Sequence, residues 1–370
     1  MNNVVNLPLS TARRPVHAPP SRLALLGTGN VGAAFVARWG ELRGSGVELP
    51  AFAWLSNSRA LGACADDAPA CVLERLRTAP ARGGAWSPWV EAEALRRGDV
   101  LVDASASDLV AGWHCEWLAR GIHVVTANKL ANGTDLPRAQ AIARARREGG
   151  ACYGDSATVG AGLPLLRSIR ALVAGGDRIR AVEGVLSGSL GWLFDRYDGA
   201  RPFSAFVREA RDAGYTEPDP RIDLSGEDVR RKLLILARAA GLSLQPNDVR
   251  VASLVPEVLA QADADAVDGL LSSLDAPLRE RHRQASRDGA RLRFAGRFEV
   301  DAAGRIVADV GLRALPPHHA LCGGSGTDNR VAISSDRYRG QPLVIQGPGA
   351  GAEVTAAALL DDVIRIAQLP

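Results

Sequence analysis

The sequence predicts an α/β protein in two parts, a parallel-sheet domain towards the N-terminus followed by a second, α+β domain. Three observations predict this. The 370 residues exceed a single compact core and fit about two domains at roughly 150 residues each. Up to Gly150, short apolar runs alternate with helical patterns, the signature of a parallel sheet whose strands are joined by helices. Beyond Tyr153 the texture changes to glycine-rich turns between helices, with paired alternating runs near the end.

Composition excludes several classes before any element is placed. Apolar residues make up 46% and charged residues 23%, an ordinary globular balance. The net charge is +3, and the arginines are dispersed rather than gathered into a basic stripe, so no nucleic-acid partner is expected. No run approaches the roughly 20 apolar residues of a membrane span. Residues 1–20 are broken by Pro8, Pro15, Pro19 and Pro20 and read as a flexible tail without a secretory apolar core. Cys64, Cys71, Cys115, Cys152 and Cys322 form no C-x-x-C pair, so neither a disulfide framework nor a zinc site is expected, and a reducing, cytoplasmic location fits.

The elements follow in order. Residues 23–26 form an apolar run ending at Gly27, and residues 31–42 carry Val31, Ala34, Phe35 and Leu42 at helical spacing. Residues 51–55, 100–104 and 122–127 read as further strands, with a helix over residues 109–120 between the last two and another over 136–147 stopped by Gly149 and Gly150. In the second domain, residues 204–213 are helical, and runs from residue 292 onward flank Asp301-Ala302-Ala303-Gly304 as a hairpin. Residues 331–334 and 343–346 suggest more strands, and residues 353–367 an amphipathic helix. We therefore divide the chain at residues 21–153, 154–330 and 331–370. The last part is expected to return to the first domain. The hairpin could supply a sheet edge for a dimer or be covered within the chain.

Gly27-Thr28-Gly29-Asn30-Val31-Gly32 matches G-x-G-x-x-G after a strand and at the opening of a helix. A structural turn shares the bare pattern, but this context points to a Rossmann-type dinucleotide domain with the helix N-terminus facing a pyrophosphate. After the second strand stand Ser56-Asn57-Ser58-Arg59, with no carboxylate to grip a ribose 2′-hydroxyl, so NADP(H) is preferred over NAD(H). Arg59 also fits a solvated surface residue. Ser105 and Lys129 follow strand ends, where ligands bind in open α/β sheets.

Of the 44 basic residues only Lys129 and Lys232 are lysines. A GC-rich genome would favour arginine wherever charge alone is wanted, and lysine, unlike arginine, can release its proton. Ser225 is placed to cap a helix with Asp228 as its capping-box partner, and Asp228 and Lys232 lie one turn apart. On spacing alone that pattern favours a capped helix with an exposed ion pair over a site. The rigid Glu217-Pro218-Asp219-Pro220 segment before it is hard to explain as a connector.

Together the glycine loop, Ala127-Asn128-Lys129, residues 158–164, 186–190, 214–221, 223–232 and 347–351 resemble the homoserine dehydrogenase family, in the family's order, from Arg22 onward. The resemblance implies an NADP-binding domain with a second α+β catalytic and dimerisation domain. The implied activity is interconversion of L-aspartate 4-semialdehyde and L-homoserine, in threonine and methionine biosynthesis. Lys232 matches the proton donor, and Lys129 a lysine beside nicotinamide and substrate. Glu217, Asp228, Gly188 and Ser189 match residues of the amino-acid pocket, with Ser189 where many members carry Thr. Gly27, Gly29, Asn30, Val31, Gly32, Ser105, Lys129, Gly214 and Gly349 match cofactor positions. A monovalent cation, Na or K, would fall on the carbonyls of Ser156, Val159, Ala161 and Leu163, although many members have Glu at the position of Ser156. A homodimer is implied too. Gly191-Trp192 departs from a more polar stretch in relatives. With so little chain after residue 367 we expect no regulatory ACT domain, and only weak or competitive inhibition by threonine. Rival readings are a reductase of another amino-acid semialdehyde and a non-catalytic NADP(H)-binding sensor.

Overall fold

Six strands form the first sheet: β1 (Arg22–Leu26), β2 (Ala51–Ser56), β3 (Leu61–Ala63), β4 (Val100–Asp103), β5 (His123–Thr126) and β6 (Tyr153–Gly154). This computed structural model describes residues 21–64, 67–80 and 95–368. The expected tail over residues 1–20 lies outside them. The strand order is β3-β2-β1-β4-β5-β6, with β1 parallel to both β2 and β4. The chain therefore reverses its direction of travel across the sheet beside β1, and the crevice for a ligand opens there. Successive residues of β1 serve opposite faces. Leu23 and Leu25 join the core of helix α1 (Asn30–Gly44) and the C-terminal helix, while Ala24 and Leu26 join that of the helices over Asp108–Ala119 and Leu136–Gly149. Burial on both faces explains why β1 reads as a continuous apolar run.

The second sheet runs β12-β11-β7-β9-β10-β8, from β7 (Ile179–Val185), β8 (Val249–Val251), β9 (Arg291–Val300), β10 (Ile306–Leu315), β11 (Asp328–Ser335) and β12 (Leu343–Pro348). The expected hairpin is β9–β10, its turn fixed by Asp301, which accepts from the backbone N–H groups of Ala303 and Arg305. Its outer edges are covered in part: β7 pairs with residues 296–299 of β9 and β8 with residues 308–310 of β10, while β12 and β8 end the sheet.

The return to the first domain, placed at residue 331 from sequence, starts later. β11 and β12 are built into the second sheet, held there by pairing with β7, and only the helix Ala352–Ala367 crosses back to pack on α1. The helix Glu227–Ala239 lies on the second sheet, where Val229 and Leu233 fill the space left by Gly296. Its Asp228, Arg231 and Arg238 meet residues 129–134 of the first domain.

Candidate functional site

The three glycines of the first turn have separate physical duties. Gly27 has φ +94°, and a Cβ there would stand 2.7 Å from the Ala104 carbonyl. Gly32 could carry no side chain, because its Cβ would stand 1.9 Å from the Gly27 carbonyl, where helix meets strand. Gly29 faces open space, with nothing within 4 Å. Close backbone approach to a pyrophosphate requires such room. Helix α1 starts at Asn30, and no side chain caps its first N–H groups. With Val31 next in line, those donors are available to an anion.

Ser105 sits beside this turn, its N–H 2.9 Å from where a Gly27 Cβ would be. Its hydroxyl donates to Asp103 at 2.6 Å, and Asp103, fully buried, also meets His114 Nε2 at 3.0 Å while His114 Nδ1 meets the Tyr153 hydroxyl at 3.0 Å. This buried chain braces the loop from behind. Burial pushes the Tyr153 hydroxyl well above its ordinary range, so it stays protonated. Of the four residues Ser56 to Arg59 at the end of β2, two serve the fold. Ser56 is buried and donates to the Ala60 carbonyl, and Asn57 donates to Thr28 and accepts from the N–H groups of Arg59 and Ala60. Only Ser58 and Arg59 remain exposed to meet a 2′-phosphate.

Asn128 caps the short helix Lys129–Asn132 and ties it to the Ser107 carbonyl. That helix abuts Glu227–Ala239, since a Cβ on Gly133 would meet the Arg231 carbonyl at 3.1 Å. Arg238 clamps the junction through the carbonyls of Asn132 and Thr134 at 2.5 and 2.6 Å. Burial lowers the Arg238 guanidinium to about 10, which leaves it charged at neutral pH. The chain's two lysines thereby meet on one carboxylate. Lys232 Nζ lies 2.9 Å and Lys129 Nζ 3.3 Å from Asp228. Burial pushes the Asp228 carboxyl up, but the two ammonium groups outweigh it and hold it well below the ordinary carboxylate range. Lys232 is only 9% exposed and donates a second hydrogen bond to the Leu186 carbonyl at 2.7 Å.

The capping box expected at Ser225 and Asp228 does not form. Gly226, at φ +79°, occupies the cap position, and the Ser225 hydroxyl turns back to the Ile222 carbonyl. Asp228 is thus released from the cap to face the lysines. Two residues after Leu186, Gly188 opens the next helix, where a Cβ would crowd the Thr327 carbonyl at 3.1 Å. Ser189 shares a hydrogen bond with Ser187 and donates to Asp223 at 2.6 Å, while the other Asp223 oxygen accepts from the Glu217 N–H. Asp223 and the Leu186 carbonyl are the contacts that sequence reasoning missed. Asp223 lay inside a quoted motif without a role, and a main-chain carbonyl leaves no mark on sequence.

Glu217 is exposed on a loop stiffened by Arg221, which grips Asp219 and the Ala262 carbonyl. Gly214, at φ +73°, also has a local duty as the glycine ending the helix Phe203–Asp212. The departing pair is placed here too, with the Trp192 ring 5.4 Å from that of Tyr215. Gly349 lies against the Asn329 side chain at the end of β12.

Of the residues expected around a monovalent cation, Ser156 has no free side-chain ligand to offer. Ala161 has φ +50°, a bend able to present carbonyls. However, the Leu163 carbonyl accepts from the Leu165 N–H, and the Ser156 hydroxyl donates to the fully buried Asp362 while accepting from Arg167. Arg167 and Arg365 already neutralise Asp362.

Comparison with known proteins bears on the family of the chain. A family profile described as homoserine dehydrogenase matches residues 164–364, and one for the homoserine dehydrogenase NAD-binding domain matches residues 27–153. A chloroplastic bifunctional aspartokinase/homoserine dehydrogenase of Zea mays is 45% identical over 269 residues, covering 72% of this chain and 29% of that protein. The chain thus spans under a third of the length of such bifunctional relatives. The homoserine dehydrogenase of Saccharomyces cerevisiae is 38% identical over 275 residues, covering 73% of this chain and 75% of that one. A Candida auris protein of unknown function has the same fold, with a TM-score of 0.82, 33% identity and coverage of 94% and 98%. Profiles that together span both domains, and a yeast relative aligned over most of its length, lead to one conclusion: the chain belongs to the homoserine dehydrogenase family.

Proposed function

We propose that the protein interconverts L-aspartate 4-semialdehyde and L-homoserine with NADP(H), in the cytoplasm, as a step of threonine and methionine biosynthesis. The observation that carries the reading is the meeting of Lys232 and Lys129 on Asp228 beside the loop of residues 186–189. When bound, the nicotinamide supplies or accepts the hydride. Lys232 holds the proton for the aldehyde oxygen and, in its neutral form, takes it from the homoserine hydroxyl. Asp228 and the Leu186 carbonyl orient its ammonium. Lys129 adds positive charge where the alkoxide develops. Glu217 pairs with the substrate's α-ammonium and Ser189 lines the pocket. Gly27, Gly29 and the N–H groups opening α1 receive the pyrophosphate, with Ser105, Gly214 and Gly349 bordering the nucleotide. Ser58 and Arg59 favour the 2′-phosphate of NADP(H). The working unit is a homodimer.

Steady-state oxidation of L-homoserine with NADP+ tests the proposal. Rapid, selective turnover is expected. Preference for another amino-acid semialdehyde would replace the substrate, and cofactor binding without turnover would indicate a sensor.

A further inference from the structure

Asn329, the second residue of β11, pairs across the sheet with Gly347 of β12. Its side chain is 1% exposed, and neither the amide nitrogen nor the amide oxygen has a hydrogen-bond partner in the protein. Buried polar groups are nearly always paired, because an unmade bond costs the full desolvation of the group. A carboxamide fixed on a central strand with both ends free therefore needs an explanation. Its surroundings are specific. A Cβ on Gly349 would fall 1.8 Å from the Asn329 oxygen, so the amide lies flat against the Gly349 backbone. On the other side, Thr327, at the entry to β11, abuts Gly188 of the substrate loop. Asn329 thus stands between the two loops that border cofactor and substrate.

We propose that Asn329 is a positioning residue for the dinucleotide: its carboxamide takes its partners from the 347–351 backbone when the cofactor seats against Gly349, fastening that loop. The proposal rests on the reading of Gly349 as a cofactor neighbour. Gly349 and Gly351, beyond the end of β12, let the loop move with little steric cost, whereas Asn329 is held by its pairing with Gly347 of β12 and, from Arg330 onward, by the pairing of β11 with β7. The free chain carries the unmade bonds, and the bound chain makes them. Part of the binding energy is in this way delivered to the loop rather than to new contacts with the ligand.

This predicts opposite effects of one substitution on two measurements. Asn329→Leu keeps the volume and removes both polar atoms. The melting temperature of the free variant should equal or exceed that of the unaltered protein. The NADPH Kd, read by nicotinamide fluorescence, should rise about tenfold, or ~1.4 kcal/mol. At saturating NADPH the homoserine KM should change less than about twofold. A lower melting temperature, with or without weaker binding, would assign the amide a partner in the free protein and overturn the proposal, as would an unchanged Kd. Should Asn329→Leu fail to fold, Asn329→Ser is the second variant, with the same tenfold loss expected and an unchanged Kd again decisive. Absence of NADPH binding by the unaltered protein would instead remove the cofactor reading itself.

Discussion

Two clusters of charge, built from the same kind of carboxylate, differ in the cation that faces it. Around Ser156, Asp155 is fully buried and held by Arg170 at 2.5 Å, and Asp362 of the returning helix is fully buried and held by Arg167 and Arg365. In the second domain the half-buried Asp228 is held by Lys232 and by Lys129 of the first domain, the only lysines among 44 basic residues. A guanidinium stays charged and fixes geometry with several donors, whereas an ammonium can give up its proton. The arginine clusters hold the C-terminal helix and the residues around Ser156 in place. In the proposed function the lysine cluster keeps a movable proton beside residues 186–189.

Exchanging the cation is the sharpest way to break this contrast. Lys232→Arg should preserve the fold and the NADPH Kd while lowering kcat by at least about 100-fold, the usual scale for a lost general acid. Near-normal turnover, measured at saturating substrates, would place Lys232 among the structural cations.

In the arginine cluster the converse is expected. Arg170→Ala leaves a buried carboxylate unpaired and should cost about 3 kcal/mol of stability by denaturant titration. In the native protein burial pushes the Asp155 carboxyl up, but Arg170 outweighs it and holds it below its ordinary value. Its contribution is thus present above an unfolded pKa of about 3.9 and is lost only as pH falls through the lower folded value. Without Arg170, burial prevails and acid unfolding should begin at higher pH. A midpoint that does not move would show that Arg170 contributes nothing there.

Smaller effects sharpen the comparison. Arg59→Ala should narrow the NADPH over NADH ratio of kcat/KM by about three- to tenfold, as expected for one exposed charge on a phosphate. An unchanged ratio would leave Arg59 as a solvated surface residue. Smallest of all, exchanging Na+ or K+ for choline at matched ionic strength should alter kcat and melting temperature less than about twofold and 2 °C, since guanidinium groups already balance Asp362. A strong requirement for either ion would place one on the main-chain carbonyls around Ala161.

Local signals were legible where a single turn dictates them. The glycine turn declared its strand, its helix and its open middle position, because sterics at Gly27 and Gly32 act over a few residues. The hairpin at Asp301 was equally visible. The cap at Ser225 was misread, because a left-handed glycine and a serine one residue apart compete for the same position, and here Gly226 prevails. The return segment was drawn too early for a related reason, since pairing of β11 with β7 depends on residues far away in sequence.

By itself the sequence determined the two-part α/β plan, the dinucleotide turn, the scarcity of lysine and the motifs that carry the family resemblance. Only the tertiary structure decided that both lysines share Asp228, that the Leu186 carbonyl holds Lys232, and that Asn329 lies unpaired beneath Gly349. Periodicity and turn chemistry are local in the chain, whereas the electrostatics of a site depend on which elements pack together, and here two helices from different domains had to meet.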